Sequence, residues 1–421
     1  MTNQHASLQQ KPNKPRLFYG YILVAAAFGI QIVAWGMYNA YGVFFNPLLD
    51  EFGWSRATIS GALSLGQMLI GIGAIFLGSL NDRFGPRILM MSCGILAGLG
   101  YFLMSQVNSI WQLYLFHGVI VGIGLSGTDV VLLSTTARWF IKRRGMMSGI
   151  VKMGTGVGIM VVPLVAAWLI SDYGWRTSYA IIGIALFACI VSGAQLLRRD
   201  PAQMHQFPDG EEIGYSAYVQ SVEAGLSLWQ AGHTRQFWML CPAYFAVFFC
   251  TNSVIVHVAP HVIDLELSAS FGATIISVIG GASIIGRLIM GITGDKIGSK
   301  RALLVCFIIL IASFSLLQLA GGLWALSLFA LVYGFCHGGF YALLSPTVAE
   351  FFGTRSHGLI LGIVIFSGSV GGSLGPLVTG HIFDTTTSYQ VAFLLLLSLA
   401  IAGFILILSS GSAERKVVSQ T

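Results

Sequence analysis

Apolar runs of about 20 residues or more recur twelve times along this chain, each long enough to cross the roughly 30 Å hydrocarbon core of a bilayer as a helix. No water is present at that depth, so each run must satisfy its backbone polar groups internally, as a helix does. Of the 421 residues, 55% are hydrophobic and only 9% charged, with a mean hydropathy of +0.80. That balance cannot clothe a soluble surface. The 52 glycines suit close helix packing, whereas a strand barrel would read as short alternating segments. The expected fold is an all-α polytopic membrane protein with twelve transmembrane helices. The spans fall at about 18–46, 57–80, 88–107, 110–138, 145–170, 176–198, 236–263, 270–294, 301–321, 323–352, 358–382 and 389–410. Lys11, Lys14 and Arg16 precede the first run, but it is too long and too aromatic for a cleaved signal peptide and counts as a span.

The basic residues set an orientation. Arg83, Arg87, Lys142, Arg143, Arg144, Arg198, Arg199, Arg235, Lys296, Lys300, Arg301, Arg355, Arg415 and Lys416 all fall on the side that holds the N-terminus. The opposite loops carry Arg56 and Arg176 against Asp50, Glu51, Asp172, Asp264, Glu266 and Asp384. Both termini are therefore expected in the cytoplasm, with the chain in the cell membrane and an even number of spans. The net charge of +6 is a topological bias and implies no nucleic-acid partner. The six cysteines are scattered through apolar runs without metal-ligand spacing, so no metal is expected. No phosphate-cradling loop, nucleophile elbow or nucleotide motif occurs, which argues against an enzyme, a cofactor or an ATP-driven pump.

The longest polar stretch, about 199–235, lies midway and divides the chain. The expected organisation is a tail (1–17), a six-helix bundle (18–198), a linker (199–235), a second six-helix bundle (236–410) and a tail (411–421). Internal repetition supports this. Gly78-Ser79-Leu80-Asn81-Asp82-Arg83-Phe84-Gly85-Pro86-Arg87 follows span two, and Gly291-Ile292-Thr293-Gly294-Asp295-Lys296-Ile297-Gly298-Ser299-Lys300 follows span eight. Both read G-x-x-x-D-[RK]-x-G-x-[RK] at matched positions. The Asp suits pairing with a base or capping a neighbouring helix, and the glycines suit a tight turn and close packing, which makes Asp82, Arg83, Asp295 and Lys296 candidate gating residues.

These paired loops resemble those of the major facilitator superfamily, as does Gly174-Trp175-Arg176 before span six. The resemblance covers essentially the whole chain and implies two bundles that rock about a central site. Trp139-Phe140-Ile141-Lys142-Arg143-Arg144-Gly145, followed by Gly149, Gly154, Gly156 and Gly158, is similar to the monocarboxylate transporters. Phe52-Gly53-Trp54-Ser55-Arg56 is similar to bacterial members of the monocarboxylate and oxalate–formate transporter group.

Ionisable residues deep in an apolar span are costly and are functional candidates by default. Asp129 lies nine residues before Arg138, Lys152 eight after Arg144, and Arg287 eight before Asp295. At about 1.5 Å per residue all three sit roughly 12–14 Å from one boundary and share a layer. Arg287 offers a planar fork matched to a carboxylate, and its position resembles the substrate-binding arginine of the monocarboxylate family. The bland alternative is an Arg neutralised by a neighbouring carboxylate. The family's Asp one turn earlier is Ser283 here, and its span-one Lys is Asn39; the span-eleven Lys of the oxalate–formate exchanger is missing from Phe366-Ser367-Gly368-Ser369-Val370. Asp129 and Lys152 are either a structural pair closing the hairpin of spans four and five or part of the transport site. If they pair, the layer carries one net positive charge and suits a monoanion.

Spans one, four, seven and ten line the cavity in the superfamily. That makes Gln31, Trp35 and Tyr38 of span one, His257 and His261 of span seven, and Tyr333, His337 and Tyr341 of span ten candidates for contact with solute. Histidine titrates near neutral pH and suits a coupled proton; the bland alternative is that each donates to a helix carbonyl or a Tyr as packing glue. The candidate substrate residues are Arg287, Tyr38, Asn39, Tyr333, Tyr341 and Lys152; the candidate proton carriers are Asp129, His257, His337 and Asp264. The resemblance implies secondary transport of a small monocarboxylate such as lactate or pyruvate with a proton, by a monomer in the lipid bilayer, or alternatively anion exchange of the oxalate/formate kind.

Overall fold

The structure is a computed structural model that describes residues 18–211, 225–319 and 322–411. The expected tails at 1–17 and 412–421 and the linker stretch 212–224 lie outside the described residues. The described chain is helical, and the only β-pairing among these residues is an isolated bridge between Gly225 and Gly353.

In the first half, α1 is Tyr19–Phe52, α2 Arg56–Phe84, α3 Pro86–Met104 and α4 Ile110–Trp139. The helical run Arg144–Gln195 is 52 residues long, too long for a single crossing. It breaks at Gly174, whose φ of 75° no helix accommodates, into α5 and α6. In the second half, α7 is Arg235–Asp264, α8 Ala269–Ile297, α9 Ser299–Leu319, α10 Leu323–Phe352, α11 His357–Thr386 and α12 Gln390–Ser409. This gives twelve crossings. Several helices overrun their apolar cores: α1 continues past residue 46 to Phe52 by bending at Ala40 and carrying Pro47. Within α4, Tyr114–Val121 is wound as a π-helix, a local departure that hydrophobicity alone does not encode.

Packing repeats between the halves: α1 lies on α5 as α7 lies on α11, α2 on α4 as α8 on α10, and α3 on α6 as α9 on α12. The described chain ends share one face. Tyr19 N donates to Gln206 Oε1 (3.0 Å), Lys300 Nζ donates to Gly411 O (2.5 Å), and Asp209 accepts from the Ile141 and Lys142 amides (2.9 and 2.8 Å), docking the linker on the α4–α5 turn. On the opposite face, Gly174-Trp175-Arg176 clasps the end of α1: Trp175 Nε1 and Arg176 Nη2 donate to the two Glu51 oxygens at 2.6 and 2.8 Å.

The repeated loop motif forms two reciprocal latches on the face of the chain ends. Asp82 accepts from the Gly358 and Leu359 amides at the start of α11 (both 3.1 Å) and from Arg138 (2.5 Å). Asp295 accepts from the Gly145 and Met146 amides at the start of α5 (2.6 and 2.8 Å). Each half thus places a carboxylate on the positive end of a helix from the other half. The motif's turn glycines, Gly85 and Gly298, have φ of 83° and 92°, where a side chain would be strained. Beside each latch the backbones touch: a Cβ on Gly78 would strike the Gly358 carbonyl, and one on Gly145 the Gly291 carbonyl. Ser345 of α10 also donates to the Leu133 carbonyl of α4 at 3.2 Å. The seam between halves is therefore closed on this face. Arg83 and Lys296, expected to share in the gate, are exposed; Arg138 supplies the latch cation instead.

Candidate functional site

Two antiparallel helices, α4 and α5, bring Asp129 and Lys152 together as an ion pair of 2.7 Å. One turn of α1 completes the arrangement, because residues four apart share a face. Gln31 Nε2 and Trp35 Nε1 both donate to Asp129 Oδ1, at 2.9 and 3.2 Å, and Thr155 Oγ1 donates to Gln31 Oε1 at 2.6 Å. That one carboxylate oxygen therefore receives three donors. Lys152 Nζ lies 5.4 Å from the Trp35 ring and 5.5 Å from the Tyr341 ring of the other half, within cation–π range of both.

Arg287 approaches from α8. Its guanidinium carbon is 6.0 Å from the Tyr341 ring centroid, so both cations lie within reach of the same phenol ring. The side chain is 2% exposed, and Nε and Nη1 have no hydrogen-bond partner. No ion pair among the described residues includes it. Gly156 makes room for the fork: a Cβ there would lie 2.6 Å from Nη1. Buried guanidinium donors are ordinarily satisfied, which sets this fork apart.

A cavity of about 230 Å³ between the halves is lined by all three charges, with Trp35, Tyr38, Asn39, His337 and Tyr341. Exposed Asn39, Ile159, Ile255 and Ile276 belong to its lining, whereas the latches close the other face. Tyr38 donates to Gln67 Oε1 (2.9 Å), Asn39 Nδ2 to the Trp35 carbonyl (2.8 Å), and His337 Nδ1 is 3.1 Å from Ser283 Oγ. The lining also includes Gln67 and Asn252, which sequence reasoning passed over; amide side chains inside apolar spans were the available signal.

Some candidates lie elsewhere. Tyr333 is fully buried behind the wall and donates to the Thr251 carbonyl at 3.0 Å, so it does not line the cavity. His257 is held at both ring nitrogens, by Tyr389 OH (3.1 Å) and the Pro376 carbonyl (2.9 Å), and acts as packing glue between α7, α11 and the start of α12. Asp264 lines a separate cavity with His261 and Tyr389. Helical spacing correctly put Tyr333, His337 and Tyr341 on one side of α10, but the cavity takes only the latter two. Among the described residues, no group of three or more His, Cys, Asp or Glu is placed to hold a metal ion.

Residues 26–292 and 240–420 match the family model of the Major Facilitator Superfamily. The chain is 28% identical to monocarboxylate transporter 13 of Rattus norvegicus, over 93% of this chain and 88% of that protein. It is 26% identical to the oxalate:formate antiporter of Oxalobacter formigenes, over 88% of each. The solved human organic anion transporter MFSD10 (TETRAN) aligns with 92% of this chain and 99% of its own at a TM-score of 0.74; at 15% identity the likeness is one of fold.

Proposed function

We propose, from the premise that this chain belongs to the Major Facilitator Superfamily, that it is a secondary transporter carrying a small monocarboxylate together with a proton. The unpartnered Arg287 fork in the central cavity carries this reading. A guanidinium binds a carboxylate through two parallel hydrogen bonds and stays charged at any physiological pH. The names borne by two similar proteins, monocarboxylate transporter and oxalate:formate antiporter, agree with an organic acid as cargo.

Charge counting favours a monoanion. Asp129 neutralises Lys152, leaving Arg287 as the one unmatched charge of the layer. A bound monocarboxylate cancels it. A proton carried with the acid then gives the empty and loaded protein the same charge, so neither pays a different electrostatic cost on reorientation. With the chain ends in the cytoplasm, as the basic loops predict, the two latches make this the outward-facing state. Release follows when Asp82 and Asp295 let go of the helix starts they hold. The aliphatic lining and the two phenols Tyr38 and Tyr341 suit a short organic acid with a small apolar body.

Exchange of the oxalate/formate kind is the second reading, favoured by the antiporter relative. Reconstitution in proteoliposomes separates the two. An inward proton gradient is expected to drive accumulation of labelled lactate or pyruvate above equilibrium. Uptake indifferent to the gradient but dependent on anion inside the vesicle establishes exchange; no uptake of either acid by any route contradicts the carboxylate reading.

A further inference from the structure

Most bases of the central site are committed to neighbours or share the cavity with cations, Asp129 Oδ2 being the carboxylate oxygen left without a donor among the described residues. Asp129 Oδ1 is taken by three donors, His257 is bonded at both nitrogens, and His337 shares its cavity with Lys152 and Arg287. Asp264 belongs to the separate cavity. One histidine remains deep in the first half. His117 lies within the π-helical turn Tyr114–Val121 of α4, is fully buried, and has no hydrogen-bond partner at either ring nitrogen. A π turn adds a residue to the helix and displaces side chains from α-helical register, a departure found frequently at functional sites.

The ring sits in a cage of phenols. Tyr41 of α1 packs at a centroid distance of 4.1 Å, Tyr101 of α3 edge-on at 6.0 Å, and Tyr38 of α1 stacked at 6.3 Å. Tyr179 of α6 stacks on Tyr101 at 6.3 Å. From α2 the Ala62 carbonyl faces the ring without closing a well-formed bond. Tyr41 OH is committed to the Ile59 carbonyl, yet the hydroxyls of Tyr101 and Tyr179, both fully buried, have no partner. Four polar atoms on three adjacent side chains are thus left open, each at a cost of about 1–3 kcal/mol if unmet. Unlike His257, whose ring nitrogens are both held, these buried polar atoms lack partners, and gathered in this way they call for shared water or a proton.

We propose that His117, with Tyr101 and Tyr179, forms the internal site that holds the co-transported proton, one side chain away from the substrate cavity. Tyr38 is the partition: it faces His117 on one side and lines the cavity on the other, with its hydroxyl held by Gln67. The bend of α1 at Ala40 falls between Tyr38 and Tyr41, so motion at that bend moves two walls of the cage. The neighbours of the ring named above are phenols and a carbonyl, none of them a counter-ion for an imidazolium, so the charged ring is disfavoured while the cage is closed. The proton therefore passes from cavity water to an imidazole nitrogen only when the partition moves, which ties its uptake to the conformational cycle. No bond other than N–H forms, and the same bond breaks on release.

This inference rests on the proton-coupled reading, and one experiment tests the two separately. Proteoliposomes containing the full chain, as wild type, His117→Gln and Tyr101→Phe, are loaded for two assays: accumulation of labelled lactate driven by a proton gradient, and lactate counterflow at equal pH on both sides. In His117→Gln the gradient-driven overshoot is expected to vanish while counterflow persists; Tyr101→Phe, which keeps the ring and removes one open hydroxyl, is expected to weaken the overshoot alone. A full overshoot in His117→Gln overturns the proposal. So does loss of counterflow together with the overshoot in both variants when the purified proteins remain monodisperse, since that marks a structural role. A wild type that counterflows but shows no overshoot refutes proton coupling itself, and the His117 assignment with it.

Discussion

At the scale of single residues, three charges line the central cavity: Asp129, Lys152 and Arg287. On the proposed reading Asp129 sets how many of them a solute meets, because its 2.7 Å pairing withholds Lys152. Asp129→Asn is expected to release the ammonium, raise the layer by one positive charge and move selectivity from lactate towards oxalate or succinate, read as the ratio of uptake rates. Removing one partner of a buried pair costs about 3–5 kcal/mol, so the variant should also unfold at a lower temperature, and a dicarboxylate should restore part of the loss. Unchanged selectivity would make the pair purely structural. These charges were legible in the sequence because an ionisable residue inside an apolar run stands out, and equal distances from the span boundaries placed them in one layer. Tyr333 and His257 lie outside the central cavity for a physical reason: periodicity fixes which residues share a face of a helix, while the rotation of that helix against its neighbours decides what the face meets. His117 escaped notice because a lone histidine in an apolar run reads as packing, and a π turn leaves no periodic signature.

Among the helices, the decisive contacts are the crossed latches. Asp82 and Asp295 each hold the first amides of a helix from the opposite half. A carboxylate in that position contributes about 0.3–1 kcal/mol, up to about 2 in a partly buried setting, and Asp82 also pairs with Arg138. Asp82→Asn is expected to shift the population roughly tenfold towards the state open on the face of the chain ends, since about 1.4 kcal/mol is one decade in an equilibrium. Ser345, buried in this seam, reports it: in a background with the native cysteines replaced, Ser345→Cys should react faster with a water-soluble maleimide once Asp82 is changed. An unaltered labelling rate would show that the latch does not govern the equilibrium. The repeated motif revealed these turns in advance because an Asp and two glycines recurred at matched places. Which helix each Asp would hold was not readable, since that partner lies 276 residues away for Asp82 and 150 for Asp295.

For the whole molecule, twelve crossings and two related halves follow from the apolar runs and the repeat, and the family relationship and the fold of solved relatives agree with them. Helix ends departed most in α1, which continues past the interruption at Ala40 to Phe52. The halves close on one face and leave a small charged cavity between them, the arrangement alternating access requires. What the cavity accepts turns on whether Arg287 answers to solute. Isothermal titration of lactate into the purified protein, beside Arg287→Gln, measures this most directly. Losing a charge-assisted contact of about 1.5–3 kcal/mol predicts saturable binding in the wild type that weakens by roughly ten- to hundredfold in the variant, with thermal stability unchanged or raised because an unpartnered buried charge has been removed. Equal affinity in the two proteins would show that the guanidinium does not hold the acid and would contradict the account at its centre.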